Sequence, residues 1–434
     1  MEPWVEWTIM GGRAAVAWLL PLMLIPLLVW MERKASAYIQ DRTGPNRAAI
    51  LGVRLGGIIH AIADVVKLVF KEDITPAKAR PFWYNLAPMV AMTFALLTFA
   101  ALPFADVLRV GGHEIPLQAL RINPGLLWML AIGSFGVFGI VFAGWGSNSS
   151  YPLLGGIRSS AQMISYELSL GLSVVGILMI FSTIDLNEIV RAQGKLLFGF
   201  LPMWGVLVQP VAALIFMAAA LAEANRNPFD LMEADSEIVA FHLEYSSLRF
   251  ALFMMTEYVH ITVASGLTVT LFFGGWQIPW LTTERLTGSA GGPALAVPAL
   301  CAALVVLVLL LLALLAPTRR WHRTLQRLYI DARRHEANVW TVVLLLQAVG
   351  AVALGAYVFL NPPGADGLAA ITAALQFVSF MVKVTFFGFA FIWVRWTLPR
   401  FRYDQLMALG WKGMLPLALA NVVVTGFVLL LVGK

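Results

Sequence analysis

Ten apolar runs constrain this chain more than anything else in it. They lie at about 14–31, 84–104, 126–145, 161–181, 204–222, 250–273, 294–316, 339–360, 368–394 and 414–432. Each approaches or exceeds the length a helix needs to cross a hydrocarbon core about 30 Å thick, at about 1.5 Å of rise per residue. The runs are rich in Leu, Ala and Val and lack the strict alternation of barrel strands, so helices must satisfy the backbone in lipid. With 60% of 434 residues hydrophobic, the chain cannot bury its apolar surface inside a soluble globule. The expectation is an all-α, polytopic membrane helix bundle of about ten transmembrane helices. The start, Met1-Glu2-Pro3-Trp4, is acidic and has no small-residue cleavage site, so the first helix is expected to stay in place.

Lys and Arg in the connections set the orientation. With the N-terminus outside, the connections 32–83, 146–160, 223–249, 317–338 and 395–413 face inward and hold 22 of the 30 basic residues. This predicts a multi-pass protein of the cell inner (plasma) membrane with its main polar loops in the cytoplasm. The net charge of +6 is then largely a topology signal, and no aromatic-interleaved basic patch points to nucleic acid. A single cysteine, Cys301, excludes a disulfide or an iron–sulfur cluster built by this chain alone. The histidines show no metal-ligand spacing, and no phosphate-binding glycine loop is present. Any redox centre belongs to a partner.

Ionisable groups in hydrocarbon are costly and tend to be functional. Four fall within the spans: Glu167, Glu257, His260 and Lys383. His260 follows Glu257 by three residues and shares its helix face. A carboxyl packed between helices, a packing histidine and a lysine paired with one of the carboxylates are the bland alternatives. The segment 32–83 is too polar to span, and its stretch 51–71 carries polar groups at 54, 60, 64, 67 and 71. That spacing fits an amphipathic helix in the interface, either a simple anchor or a mouth through which a hydrophobic substrate enters.

The densest concentration of charge is EANRNPFDLMEADSEIVAFHLEY at 223–245, with Glu223, Asp230, Glu233, Asp235, Glu237 and Glu244. If 230–244 is helical, Asp230, Glu233, Glu237 and Glu244 share one face. A solvated acidic face would not need the interleaved Phe229, Ile238, Val239 and Phe241. Clustered, partly buried carboxylates titrate together and can hold and pass protons. With Glu223, Glu257 and Glu167 at successive depths, the pattern reads as a proton route into the membrane.

Several segments together resemble one family: ERKASAYIQDRTGPNR at 32–47, FKED at 70–73, GWGSNSSYPLLGGIRSSAQMISYELSLGLS at 144–173, AEANRNPFDLMEADSEIVAFHLEYSSLRFALFMMTEY at 222–258, FFGGW at 272–276 and RWTLPRFRYDQLMALGWK at 395–412. They are similar, in the same order, to the quinone-site membrane subunit (the H subunit in bacterial naming) of respiratory complex I, NADH:quinone oxidoreductase. The resemblance implies a subunit of a proton-pumping complex that binds ubiquinone or menaquinone as substrate. Iron–sulfur clusters and FMN are then expected in partner subunits, and the partners are other membrane and peripheral subunits, membrane lipid and quinone. It places Arg33, Lys34, Asp41 and Arg47 at the quinone entrance, and Arg226, Phe229 and Arg249 at the chamber. Glu167, Glu223, Asp230, Glu233, Asp235, Glu237, Glu244 and Glu257 match the coupling carboxylates, which His260 and Lys383 are expected to join.

Ala224, Met232 and Asp235 depart from the more usual Thr, Pro and Glu. The family core has eight spans, so 285–365 reads as an inserted helix pair, expected to pack peripherally and to carry no chemistry. A related membrane subunit of an energy-converting hydrogenase or other dehydrogenase is the nearest alternative. A stand-alone proton or cation transporter is the more distant one, and it lacks the expected inverted repeat.

Overall fold

The computed structural model describes residues 3–42, 44–50, 55–111, 113–230, 240–287, 293–328, 336–361 and 363–432. Its helices in chain order are α1 (Pro3–Ile39), α2 (Ile59–Phe70), α3 (Pro81–Ala100), α4 (Gly125–Gly146), α5 (Ser150–Phe181), α6 (Leu186–Gln193), α7 (Gly205–Val208), α8 (Pro210–Glu223), α9 (Ser247–Phe272), α10 (Thr283–Thr287), α11 (Pro293–Leu328), α12 (Glu336–Leu360), α13 (Ala365–Thr397), α14 (Tyr403–Ala408) and α15 (Leu415–Val432). The strands among the described residues form two small antiparallel hairpins: β1 (Leu108–Val110) with β2 (His113–Ile115), and β3 (Leu196–Leu197) with β4 (Leu201–Pro202).

Nine of the described helices are long and apolar enough to cross a membrane. The tenth predicted span, 204–222, is instead divided into the four-residue α7 and the fourteen-residue α8. Pro210 has no amide hydrogen to donate, and Gln209 leaves helical geometry at φ −136°, ψ 62°. The Gln209 side chain covers the break, donating to Thr425 Oγ1 at 2.7 Å and accepting from Asn421 Nδ2 at 2.8 Å. Such repair from neighbouring helices is what makes a broken helix tolerable in lipid.

The central element is α9, surrounded by α1, α3, α8 and α13. Close helix approach relies on glycine where α4 meets α3: a Cβ at Gly139 would stand 2.7 Å from Ala91 Cβ, and one at Gly146 would stand 2.8 Å from the Tyr84 amide nitrogen. In membranes small residues drive such packing, because lipid tails are as apolar as leucine. The amphipathic α2 has the expected form: Ile62, Val66, Val69 and Phe70 are exposed while Ile59 and Ala61 face the protein. The pair α11 and α12 packs mainly on itself, with Leu304 against Gly355.

Candidate functional site

The site is built at the end of the bundle that the charge distribution assigns to the inside. There the loop after α8 is held from several sides. Gln162 on α5 donates to the carbonyls of Ala222 at 2.9 Å and Phe229 at 2.7 Å, and Ser159 bonds the Asn225 side chain at 3.2 Å. The connection from α13 to α14 closes the other side, with Phe401 N donating to Pro228 O at 3.0 Å. Phe229, predicted at the chamber, packs between the rings of Tyr166 and Phe401 at 5.3 and 5.6 Å.

This framework pushes Arg226 into the protein until only 3% of it is exposed. A buried guanidinium needs partners, and they come from two helices. Glu257 of α9 lies 3.1 Å away and Glu32 of α1 3.7 Å, while the Tyr258 ring stacks under the cation at 4.5 Å. Burial opposes the Arg226 charge, but Glu257 and Glu32 more than offset it and hold the group above its ordinary value. Glu32 in turn accepts from Tyr258 OH at 2.8 Å and pairs with Arg395 of α13. Two carboxylates and two guanidiniums thus form a charge-balanced cluster, in which protonating either carboxylate would leave an excess positive charge.

Two cavities of about 20 Å³ each lie beside this cluster, and both are bordered by Glu223, Ala224 and His260. One of them also touches Glu257 and Asn225. Each has room for about one water molecule. Space for Glu223 comes from Gly133 of α4, where a Cβ would stand 3.3 Å from Glu223 Oε1. The next α4 residue, Ser134, donates to Glu167, and Glu167 lies within electrostatic reach of Glu223. Glu257, His260, Glu223 and Glu167 therefore follow one another across the α4–α5–α8–α9 packing.

Other predicted residues stand apart from this chain of groups. Asp230 is buried and bonded to Arg400 at 3.3 Å. Arg249 bonds Thr75 and Asp73 at 2.7 and 3.2 Å and stacks on Tyr84 at 5.1 Å. Glu233, Asp235 and Glu237 lie outside the described residues, so the proposed helical stripe does too. Its last member, Glu244, sits on a turn within 240–246 rather than on a helix, and its carbonyl accepts from Tyr84 OH at 2.7 Å. At the predicted entrance, Arg33 pairs with Asp64 of α2 and Lys34 is buried against the Tyr38 ring. His60 Nε2 accepts from the amides of Arg47 and Ala48, both at 3.0 Å, tying the segment beyond Asp41 to α2.

Lys383 corrects an expectation. It does not pair with a carboxylate among the described residues. Its ammonium donates to the carbonyls of Phe273, Gly275 and Gln277 at 3.1, 2.9 and 2.8 Å, at the opposite end of α9. The physical reason is local: α9 ends at Phe272, and the carbonyls of its cap Phe273 and of Gly275 and Gln277 in the turn that follows converge on the ammonium, which satisfies them. Sequence reasoning also missed Glu32, Tyr258 and Arg395 as site members. Glu32 and Arg395 sit at the ends of apolar runs, where charge reads as a topology signal.

The family model described as NADH dehydrogenase matches residues 13–351 and 337–426. The chain belongs to the NADH dehydrogenase family. Among its relatives are the H subunits of two NADH-quinone oxidoreductases. That of Bdellovibrio bacteriovorus is 38% identical over 98% of this chain and 97% of its own length, and that of Salinibacter ruber is 37% identical over 100% and 99%. NADH-quinone oxidoreductase subunit 8 of Rhodothermus marinus is 38% identical over 93% of this chain and 92% of its own.

Proposed function

We propose that this chain is the quinone-site membrane subunit of a proton-translocating NADH:quinone oxidoreductase in the cell inner membrane, and that its carboxylates couple quinone reduction to proton movement. The observation that carries the reading is the shared position of Glu223 and His260 on two water-sized cavities, one of which reaches Glu257 and hence the Glu32–Arg226–Arg395 cluster. The chain supplies walls and charges; the iron–sulfur clusters and FMN that deliver electrons belong to partner subunits. Quinone, as ubiquinone or menaquinone, enters beside α2, past Arg33, Lys34, Asp41 and Arg47, toward Phe229, Arg226 and Arg249.

Reducing a quinone takes up two protons and passes through anionic states. Two charges about 4 Å apart near a protein surface interact by about 4 kcal/mol, whereas moving one charge across about 100 mV requires about 2.3 kcal/mol. A charge change next to Arg226 is therefore large enough to redistribute protons among Glu257, Glu223 and Glu167. In this reading Lys383 supports α9, and α11 with α12 forms a peripheral pair without chemistry. The acidic loop feeds the route through Asp230, Glu233, Asp235, Glu237 and Glu244. Replacing Glu233 or Glu237 by Gln slows quinone reduction in the assembled complex without preventing assembly; full turnover and pumping in both variants would remove the loop from the route.

A further inference from the structure

At the far end of the bundle lies another cavity, of about 960 Å³, which the proposed function does not use. Its walls are β1, the end of α6, the segment from Gln277 to Thr287 and the first turns of α13. Asp106 and Arg191 pair across it at 2.5 Å, and Gln376 bridges Asp106 N and Thr283 Oγ1 at 3.0 and 2.9 Å. Thr372, 2% exposed, lines the same cavity, yet its hydroxyl has no hydrogen-bond partner among the described residues. A buried polar group of that kind calls for a polar ligand or water. Lys195, Glu284 and Asp366 also line the cavity and form no ion pair among the described residues.

The segments next to it in the chain, which follow Lys195 and lie between Gln277 and Thr282, form a lip of the opposite character. The β3–β4 hairpin turns at Phe198 and Gly199, both at positive φ, and leaves Phe198 83% exposed. Trp280, also exposed, donates to the Phe200 carbonyl at 2.7 Å, so the aromatic groups form one surface. Exposed aromatic side chains with one polar handle are the groups that settle at a membrane–water interface.

We propose that this cavity binds the headgroup of an amine-bearing phospholipid, with the acyl chains lying over the Phe198–Phe200–Trp280 lip. The phosphate faces Lys195 and Arg191, the ammonium faces Glu284 and Asp366, and Thr372 supplies a further donor. The volume is within the range of small-molecule sites. A soluble anion would leave the carboxylates unmatched, and a soluble zwitterion would leave the aromatic lip without a role.

The test uses the intact complex in lipid nanodiscs and a phosphatidylethanolamine carrying a photoreactive diazirine near its headgroup. Captured peptides are read by mass spectrometry. Capture is expected within 193–203 and 277–287, is displaced by unlabelled phosphatidylethanolamine, and falls about fivefold or more in a Lys195→Ala, Glu284→Gln double variant that retains quinone reductase activity. Asp366→Asn provides an independent loss if the double variant assembles poorly. Equal capture of a matched phosphatidylglycerol probe would remove the amine from the account. Displacement by free phosphoethanolamine alone would make the ligand soluble, and cross-linking of this surface to another subunit in place of lipid would make the occupant a polypeptide. Each of these three results overturns the proposal.

Discussion

The two ends of α9 solve the problem of polar groups in a membrane differently. Toward its start the helix carries Glu257, Tyr258 and His260; from there to Phe272 its polar side chains are Thr262, Ser265, Thr268 and Thr270. Each of those four hydroxyls donates to the carbonyl four residues earlier, at 2.7–2.9 Å, and so is satisfied inside its own helix. A carboxylate cannot do this, because it only accepts hydrogen bonds and carries a charge. Glu257 therefore draws in Arg226 from a loop, and through it Glu32 and Arg395 from α1 and α13. The neutral part of α9 can be read as a single helix, whereas the ionisable part exists only as an assembly of four segments.

The contrast predicts unequal consequences of substitution. Arg226→Ala removes the guanidinium that Glu257 and Glu32 share, and leaves Glu257 buried without its cation. Breaking a buried pair in this way costs about 3–5 kcal/mol, so the variant complex should be largely lost in native electrophoresis of membranes. A smaller effect comes from His242, in the connection between α8 and α9, whose imidazole burial lowers to about 4 from the usual 6.5. The folded state then stays neutral between pH 6.5 and 4 while the unfolded chain takes up a proton, so stability falls as pH is lowered through that window. Because the ring is partly exposed, the loss amounts to about 1–2 kcal/mol. A His242→Phe variant should flatten that part of the thermal-stability profile of the complex. Smallest is Thr268→Val, which deletes a hydroxyl bonded only to its own helix. Even a side-chain hydrogen bond between membrane helices is worth only about 0.6 kcal/mol, and this one closes within its own helix, so both assembly and turnover should stay near wild type; a severe defect would show that the neutral part of α9 is more than scaffold.

Much of the bundle is legible in the sequence because apolar runs longer than a bilayer permit few structures. The run at 204–222 shows the limit of that argument: hydropathy registers Gln209 and Pro210 as a brief dip, while the backbone registers them as a break. Local spacing links Glu257 to His260 because they share a helix. It could not link Glu257 to Arg226, Glu32 or Arg395, since those contacts depend on how the loop after α8 folds under α5 and against the α13–α14 connection. The carboxylate partner suggested for Lys383 fails for a related reason. A lysine in a membrane span suggests a carboxylate partner, but three backbone carbonyls at a helix end satisfy it equally well.

The central claim is that quinone reduction is coupled to protons through the carboxylates around the paired cavities. Its most direct test is Glu223→Gln in the complex reconstituted into proteoliposomes, with quinone reduction and proton translocation measured in the same preparation. Gln keeps the shape and hydrogen-bonding ability of the side chain but cannot exchange a proton at neutral pH. Normal assembly is expected, with quinone reduction and proton translocation falling together by about tenfold or more, as for loss of a positioned proton-transfer group. Wild-type turnover with wild-type pumping would contradict it.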